Sequence, residues 1–495
     1  MLWRWEKARA PIRRFAAGVA FAVAAALTLA GCASFEAPGG DPAGLVTKAS
    51  APAPIASTPV NPERKRLIDA FGGEYHAPAI ESYLNSVLAR LAPASETPTE
   101  PYRVTLLDSP IVNAFALPSG DLFVTRGLLA LADDGAEVAA VMAHEIAHVT
   151  AHHAAQRAEL ERTAALFTRV STQVLDKPQQ GQEQEARMKL SIAHFSRQQE
   201  FEADRIGIHT VAKAGFDPYA AARFLDALGR WSALRASMIG LGDDNKPDMM
   251  ATHPSTPERI AAAVALAKQL ASSEAAETGR DAYLQAIDGL DYGDNPTQGL
   301  ALGRRFLHPK LGFAFEAPEG FALENQSAAL IGVGSGGAEA LRLDSIEAND
   351  STTLEAALAS GWIDGVQTNS IETIANADLP MAVAVAAGQQ WSFRLGAVRL
   401  NGRIYRLIFA AHTLSSEVDA RFLAAIRSFH RISAAETAEA RPSRIQIVAG
   451  NGGSALSYAE RMSVPARPQD LFLILNGLER NAMISSDEKF KIVTR

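Results

Sequence analysis

A single cysteine in 495 residues excludes any intramolecular disulfide. The chain also lacks a repeat of about 30 to 50 residues, which excludes the helical-repeat and propeller arrays. Long apolar runs are missing as well. The stretch Phe15 to Ala30 has 16 residues, short of the about 20 that a spanning helix needs. Nor is there a basic excess, because the formal net charge is −8. Residues 1–31 contribute +4 to that figure, so the remainder stands at about −12. Such a balance argues against nucleic acid and against a polybasic membrane patch. What the chain does have is length and 47% hydrophobic content, enough for several cores.

The amino terminus carries Arg4, Lys7, Arg9, Arg13 and Arg14 ahead of the apolar run, which ends in Leu29-Ala30-Gly31-Cys32. This ending resembles the lipobox of bacterial lipoprotein precursors. The resemblance implies a signal peptide over 1–31, with Cys32 lipidated as the first mature residue. Ala33 follows, not the aspartate that marks inner-membrane retention, so the expected location is the outer membrane, facing the periplasm. Residues 32–62 are rich in Pro, Ala, Gly and Ser and read as a disordered tether.

The chemistry lies further on, in His144-Glu145-Ile146-Ala147-His148. On a helix this spacing stacks two imidazoles one turn apart, where both reach a single Zn²⁺, one per chain. Glu145 then stands beside the water that it would deprotonate. The preceding run Ala136 to Ala143 is nearly all apolar, so the helix is buried, and Asp134 with Glu137 supplies its start. Buried His and Glu side chains are costly unless something pairs them. A catalytic zinc usually takes three protein ligands, and Glu200 is the candidate for the third. It lies on a second helix expected from about Glu183 to Gly215, where Asp204 shares its face and can hold a ligand imidazole from behind. Glu202 points elsewhere, as a solvated acid.

His144-Glu145-xx-His148 with Ser196-Arg197-xx-Glu200-xx-Ala203-Asp204 resembles the HtpX-like, CAAX-prenyl-protease-type zinc metalloendopeptidases. The likeness extends through Asn113 to Gly120 and Phe123 to Leu128, and covers roughly 64–270. It implies His144, His148 and Glu200 as zinc ligands, Glu145 as general base and Asp204 behind them. Without the long apolar spans of the membrane-embedded members, the chain is similar to the soluble periplasmic branch that acts on outer-membrane proteins.

An expected hairpin, Val112–Leu117 and Leu122–Thr125, offers either an ordinary core element or an edge on which substrate pairs by β-augmentation. The resemblance favours the substrate role for Asn113, Ala114 and Phe115. His253 sits in Thr252-His253-Pro254-Ser255-Thr256-Pro257, where the prolines hold the chain out of a helix. Three roles stand open for it: an electrophile for the oxyanion, an occupant of the open zinc position at rest, or a plain helix-start residue. His152 and His153 are expected to make local hydrogen bonds. His76, His194, His209, His308, His412 and His430 show no constellation.

The expected fold is α+β: a mainly helical zincin-type domain over 63–295 with a small β edge, an α+β domain over 302–435, and a β-α-α-β module over 443–495. The second is loosely similar to PsbP-like folds. Its clearest element is the hairpin Val398–Leu407, with Asn401-Gly402 at a type I′ turn. The third resembles a LysM-like module whose first turn, Gly450 to Ser454, departs from the usual acidic pattern.

These features together point to a periplasmic zinc endopeptidase for misfolded or stalled envelope proteins. Its expected partners are those substrates, the outer-membrane assembly machinery, peptidoglycan, and the outer membrane through the lipid anchor. The alternative is a lipid-anchored chaperone or peptidoglycan-binding assembly factor with a latent protease.

Overall fold

The computed structural model describes residues 62–159, 162, 178–239, 253–271, 276–326, 329–348, 351–374 and 378–495. The expectations for the signal peptide, the tether and Cys32 fall outside the described residues. No described helix is long and apolar enough to cross a membrane. The protein is α+β, with helices gathered in its first part and sheets in its second.

Helices α1 (Pro62–Ala70) and α2 (Pro78–Ala94) lead into a small sheet of β1 (Arg103–Leu107), β2 (Ala114–Ala116) and β3 (Asp121–Thr125). The sheet order is β1-β3-β2, with β1 parallel and β2 antiparallel to β3. The expected hairpin is therefore present, but a further strand, β1, lies on the far side of β3. Its alternation is too short to announce itself, and it pairs because β3 is buried along its whole length. Then come α3 (Arg126–Leu131) and the motif helix α4 (Gly135–Thr150). Asp134 caps α4, accepting from the Glu137 amide at 2.8 Å, while the Glu137 carboxylate reaches back to the Asp133 amide, also at 2.8 Å.

Helix α5 spans Pro178–Lys213. It begins earlier than expected and runs through Gly181. Proline is compatible with a first helical position, where its missing N–H has no partner to lose. The far end follows the expectation, since Gly215 closes the turn with φ of 83°. Helices α6 (Ala220–Ile239), α7 (Pro257–Leu270) and α8 (Arg280–Ile287) complete the helical layer, and β4 (Asp291–Tyr292) follows.

The next sheets use β5 (Leu300–Leu302), β6 (Arg305–His308), β7 (Phe313–Glu316), β8 (Phe321–Asn325), β9 (Leu330–Gly334), β10 (Glu339–Glu347), β11 (Glu372–Ile374), β12 (Met381–Ala387), β13 (Ser392–Leu400) and β14 (Arg403–Ala411). Seven form an antiparallel sheet in the order β11-β12-β13-β14-β10-β9-β8. The turn between β13 and β14 has Asn401 and Gly402 at φ of 51° and 72°, as a type I′ hairpin requires. Strand β13 begins six residues ahead of the expected hairpin and passes unbroken through Gly396. Helix α9 (Ser416–Arg427) explains that glycine. A Cβ there would lie 2.9 Å from the Ile426 side chain. Strand β15 (His430–Arg431) joins β5, β6 and β7 in a second sheet.

The last segment is β16 (Ser443–Ser454), α10 (Ala455–Ala459), α11 (Pro468–Leu475) and β17 (Met483–Thr494), the expected β-α-α-β order. It does not stand apart from the helical domain. Ile445, Phe472, Phe490, Ile492 and Val493 share one hydrophobic core with Leu129, Val138, Phe224 and Tyr283, and β16 pairs with β4. Lys491 is fully buried, and its Nζ donates to the carbonyls of Ala130 and Ala132 at 3.1 and 2.5 Å. Burial pushes its pKa down to about 8. This buried cation secures the turn that leads into α4.

Candidate metal centre

His144 and His148 project from one face of α4, their Nε2 atoms 3.0 Å apart. Helix α5 lies against that face because Gly207 has no side chain. A Cβ there would come 3.1 Å from the His144 amide nitrogen. This close approach delivers Glu200, which is 1% exposed, to within 3.4 Å of His144 Nε2 and 3.5 Å of His148 Nε2. The fourth member comes from the loop before α7. His253 Nδ1 is 3.0 Å from Glu200 Oε2 and 3.2 Å from His144 Nε2. One ligand atom from each of these four residues lies within 4.8 Å of all the others.

That loop is pinned at several points. Ser255 Oγ donates to the Leu225 carbonyl at 2.8 Å, and Thr256 caps α7 by accepting from the Arg259 amide. Arg259 also holds the centre from behind. Its Nε and Nη2 both donate to the Asp204 carboxylate at 2.7 Å, and Nη1 is 3.2 Å from Glu200 Oε2. Asp204 in turn meets His144 Nδ1 at 3.0 Å. Burial opposes the Asp204 charge, yet hydrogen bonds from Arg259 and His144 outweigh it and hold the carboxyl below its usual range.

The donor set attracts positive charge. Burial works against a charged His144, but Asp204 and Glu200 overcome it and raise its pKa to about 10. His148 is driven far the other way, first by burial and then by His144 and His253. A divalent ion can supply the charge with every ligand nitrogen left unprotonated, and three imidazoles with one carboxylate suit zinc. Glu145 completes the fit. It is 3% exposed, its Oε1 accepts no hydrogen bond from the described residues, and burial raises its pKa. A buried oxygen without a donor calls for a water or substrate proton.

The structure thus brings His144, Glu145, His148, Glu200, Asp204 and His253 together. Sequence reasoning missed Arg259, although it lies one turn into a capped helix six residues after His253. His153, expected to make local hydrogen bonds, makes one to His148, their Nδ1 atoms 2.9 Å apart, which links it to the cluster. His209 is not part of the cluster, and the His194 side chain lies outside the description. Glu202 is half exposed and faces His153.

Strand β2 packs against α4 and, at the end of the order β1-β3-β2, pairs only with β3 among the described strands. Asn113 and Ala114 are buried. Phe115 stacks on Phe123 at 4.9 Å and meets Phe71 at 5.0 Å. The Ala114 and Phe115 side chains are thus engaged in packing, and β2 forms an edge of its sheet.

Residues 78–267 match the family model described as Peptidase family M48. The beta-barrel assembly-enhancing protease of Escherichia coli (strain K12) is 31% identical over 205 residues, covering 39% of this chain and 40% of that protein. The mitochondrial metalloendopeptidase OMA1 of Arabidopsis thaliana is 35% identical over 158 residues, 32% of this chain and 30% of that protein. The chain thus spans less than half the length of either relative. The solution structure of cyanobacterial PsbP from Synechocystis sp. PCC 6803 aligns at 13% identity over 28% of this chain and 98% of that one. Its TM-score of 0.21 is too low to bear on the fold. The HExxH helix and the facing Glu200 both lie within residues 78–267, the segment that is similar to the M48 peptidases.

Proposed function

We propose that the protein is a zinc-dependent endopeptidase of the bacterial envelope that cleaves misfolded or stalled outer-membrane proteins. The observation that carries this reading is the buried four-residue donor cluster with the unpartnered Glu145 oxygen beside it. His144, His148 and Glu200 would hold the ion. Zinc bound there would polarise the scissile carbonyl and make water acidic enough to ionise near neutral pH. Glu145 takes the proton from the attacking water and delivers it to the departing amine. Burial raises its pKa, which makes it a stronger base for the first transfer. Asp204 and Arg259 fix the ring of His144, and the edge of β2 lays the peptide across the site through main-chain bonds. The envelope assignment draws on the name of the E. coli relative and on the lipobox-like Cys32. Cys32 supports a lipid anchor, and Ala33 after it supports placement at the outer membrane.

Glu200→Gln tests the ligand set. The parent is expected to hold about one zinc per chain by elemental analysis, and the variant to lose most of it, because an amide is a far weaker ligand than a carboxylate. A parent protein that stays metal-free in excess zinc overturns the reading.

The position of His253 favours latency at rest. Its Nδ1 faces the ligands, while its Nε2 is 3.7 Å from Glu145 Oε1. An ion held by the other three residues would have His253 Nδ1 within reach, in competition with water or a carbonyl, which supports the resting-occupant role over the electrophile. His253→Ala is expected to raise basal cleavage of an unfolded protein such as casein several-fold. Lost cleavage would restore the electrophile.

A further inference from the structure

His144 has Asp204 and Arg259 behind it, and His148 has a different support. His148 turns Nε2 toward the cluster, and its Nδ1 meets Nδ1 of His153 at 2.9 Å, the rings edge to face at 75°. His153 is 2% exposed. Its Nε2 lies 3.4 Å from Glu202 Oε2, and its carbonyl accepts from Gln199 Nε2 at 3.2 Å. Helix α5 thus holds the residue at its ring Nε2 and at its backbone carbonyl, through Glu202 and Gln199, both within two residues of Glu200.

A continuous helix would not permit this contact. Five residues turn through about 500°, which leaves the second side chain roughly 140° round from the first. Here α4 ends at Thr150, His152 adopts a left-handed φ of 54°, and helix resumes at His153. Non-glycine residues take that conformation uncommonly, histidine being among those enriched in it together with asparagine and aspartate. At His152 it swings the next side chain back beneath His148.

We propose that His153 is a positioning residue for the zinc site, fixing the tautomer and ring orientation of His148. This rests on the metallopeptidase reading above. The proton order follows from the far end. An ionised Glu202 only accepts, so His153 carries its proton on Nε2 and offers a lone pair at Nδ1. His148 must then carry its proton on Nδ1, which leaves the Nε2 lone pair directed at the ion. The two imidazole ligands are therefore supported unequally, one by a buried carboxylate and the other by a neutral imidazole.

The test uses the full chain. His153→Phe is expected to weaken zinc binding about 10- to 100-fold in competition with a chromogenic chelator. His153→Asn, whose carbonyl can accept the same proton, is expected to recover most of that loss. Parent-like affinity in a folded His153→Phe protein overturns the inference, as does an Asn variant no better than Phe. Long-range proton–nitrogen correlations on the zinc-loaded parent give an answer that needs no variant. They are expected to show His148 protonated at Nδ1 and His153 at Nε2, and the opposite tautomer in either ring overturns the inference. A parent that binds no zinc overturns the metallopeptidase reading itself. A zinc-binding parent that is indifferent to His153 overturns this inference alone.

Discussion

Glu145→Gln is expected to lower proteolysis by about 10²- to 10⁴-fold, the usual contribution of a positioned general base, while zinc content stays near one per chain. Two features make the loss specific. Glu145 is no donor to the cluster of His144, His148, Glu200 and His253, so the ion has no reason to leave. Its Oε1 also has no hydrogen bond for the amide to break. Burying a neutral amide in place of a carboxyl strained by burial should leave the thermal midpoint unchanged or slightly higher. The measurement is cleavage of an unfolded protein alongside metal analysis and a melting curve. Full activity in the Gln variant would sink the mechanism. Substrate that stays bound to an inert Gln variant can be recovered and identified by mass spectrometry, which names the natural targets.

Deleting residues 443–495 is expected to destroy the peptidase domain. Ile445, Phe472, Phe490, Ile492 and Val493 lie in the same core as the residues that flank α4. Five such side chains contribute about 10 kcal/mol together, comparable with the roughly 5–15 kcal/mol that holds a whole domain folded. Polar ties would be cut too. Ile445 exchanges 2.8 Å backbone bonds with Gly289 and Leu290, Arg280 donates to the Lys489 carbonyl at 2.6 Å, and Arg230 to that of Leu478 at 2.8 Å. The shortened protein should lack a cooperative thermal transition, bind no zinc and cleave nothing. A folded, active truncation would show the last segment to be a separable module. Lys491→Met isolates one contact. It leaves the carbonyls of Ala130 and Ala132 without their buried donor, at a cost of about 1–3 kcal/mol.

The local features were largely legible in advance because they are written in neighbouring residues. Asp134 three positions before Glu137 marks a helix start, Asn401-Gly402 a type I′ turn, and Gly215 a helix end. Spacing alone stacks His144 over His148 and sets Glu200 and Asp204 on one face. Arg259 and His153 were not legible in this way. The arginine acts across 55 positions, and the histidine depends on a left-handed turn at His152, a conformation that even the residues enriched in it adopt uncommonly.

By itself, then, the amino-acid order determined which residues could bind a metal, which one could move a proton, and which helices would carry them. These depend on side-chain chemistry and a helical period of 3.6 residues, and both are local. Only the tertiary structure decided that Gly207 lets the two helices close to contact distance, that His253 enters the ligand cluster, and that the last β-α-α-β segment belongs to the peptidase core. Those outcomes depend on which surfaces meet. Meeting is a matter of shape and burial between segments from dozens to hundreds of residues apart, and no short window of sequence records it.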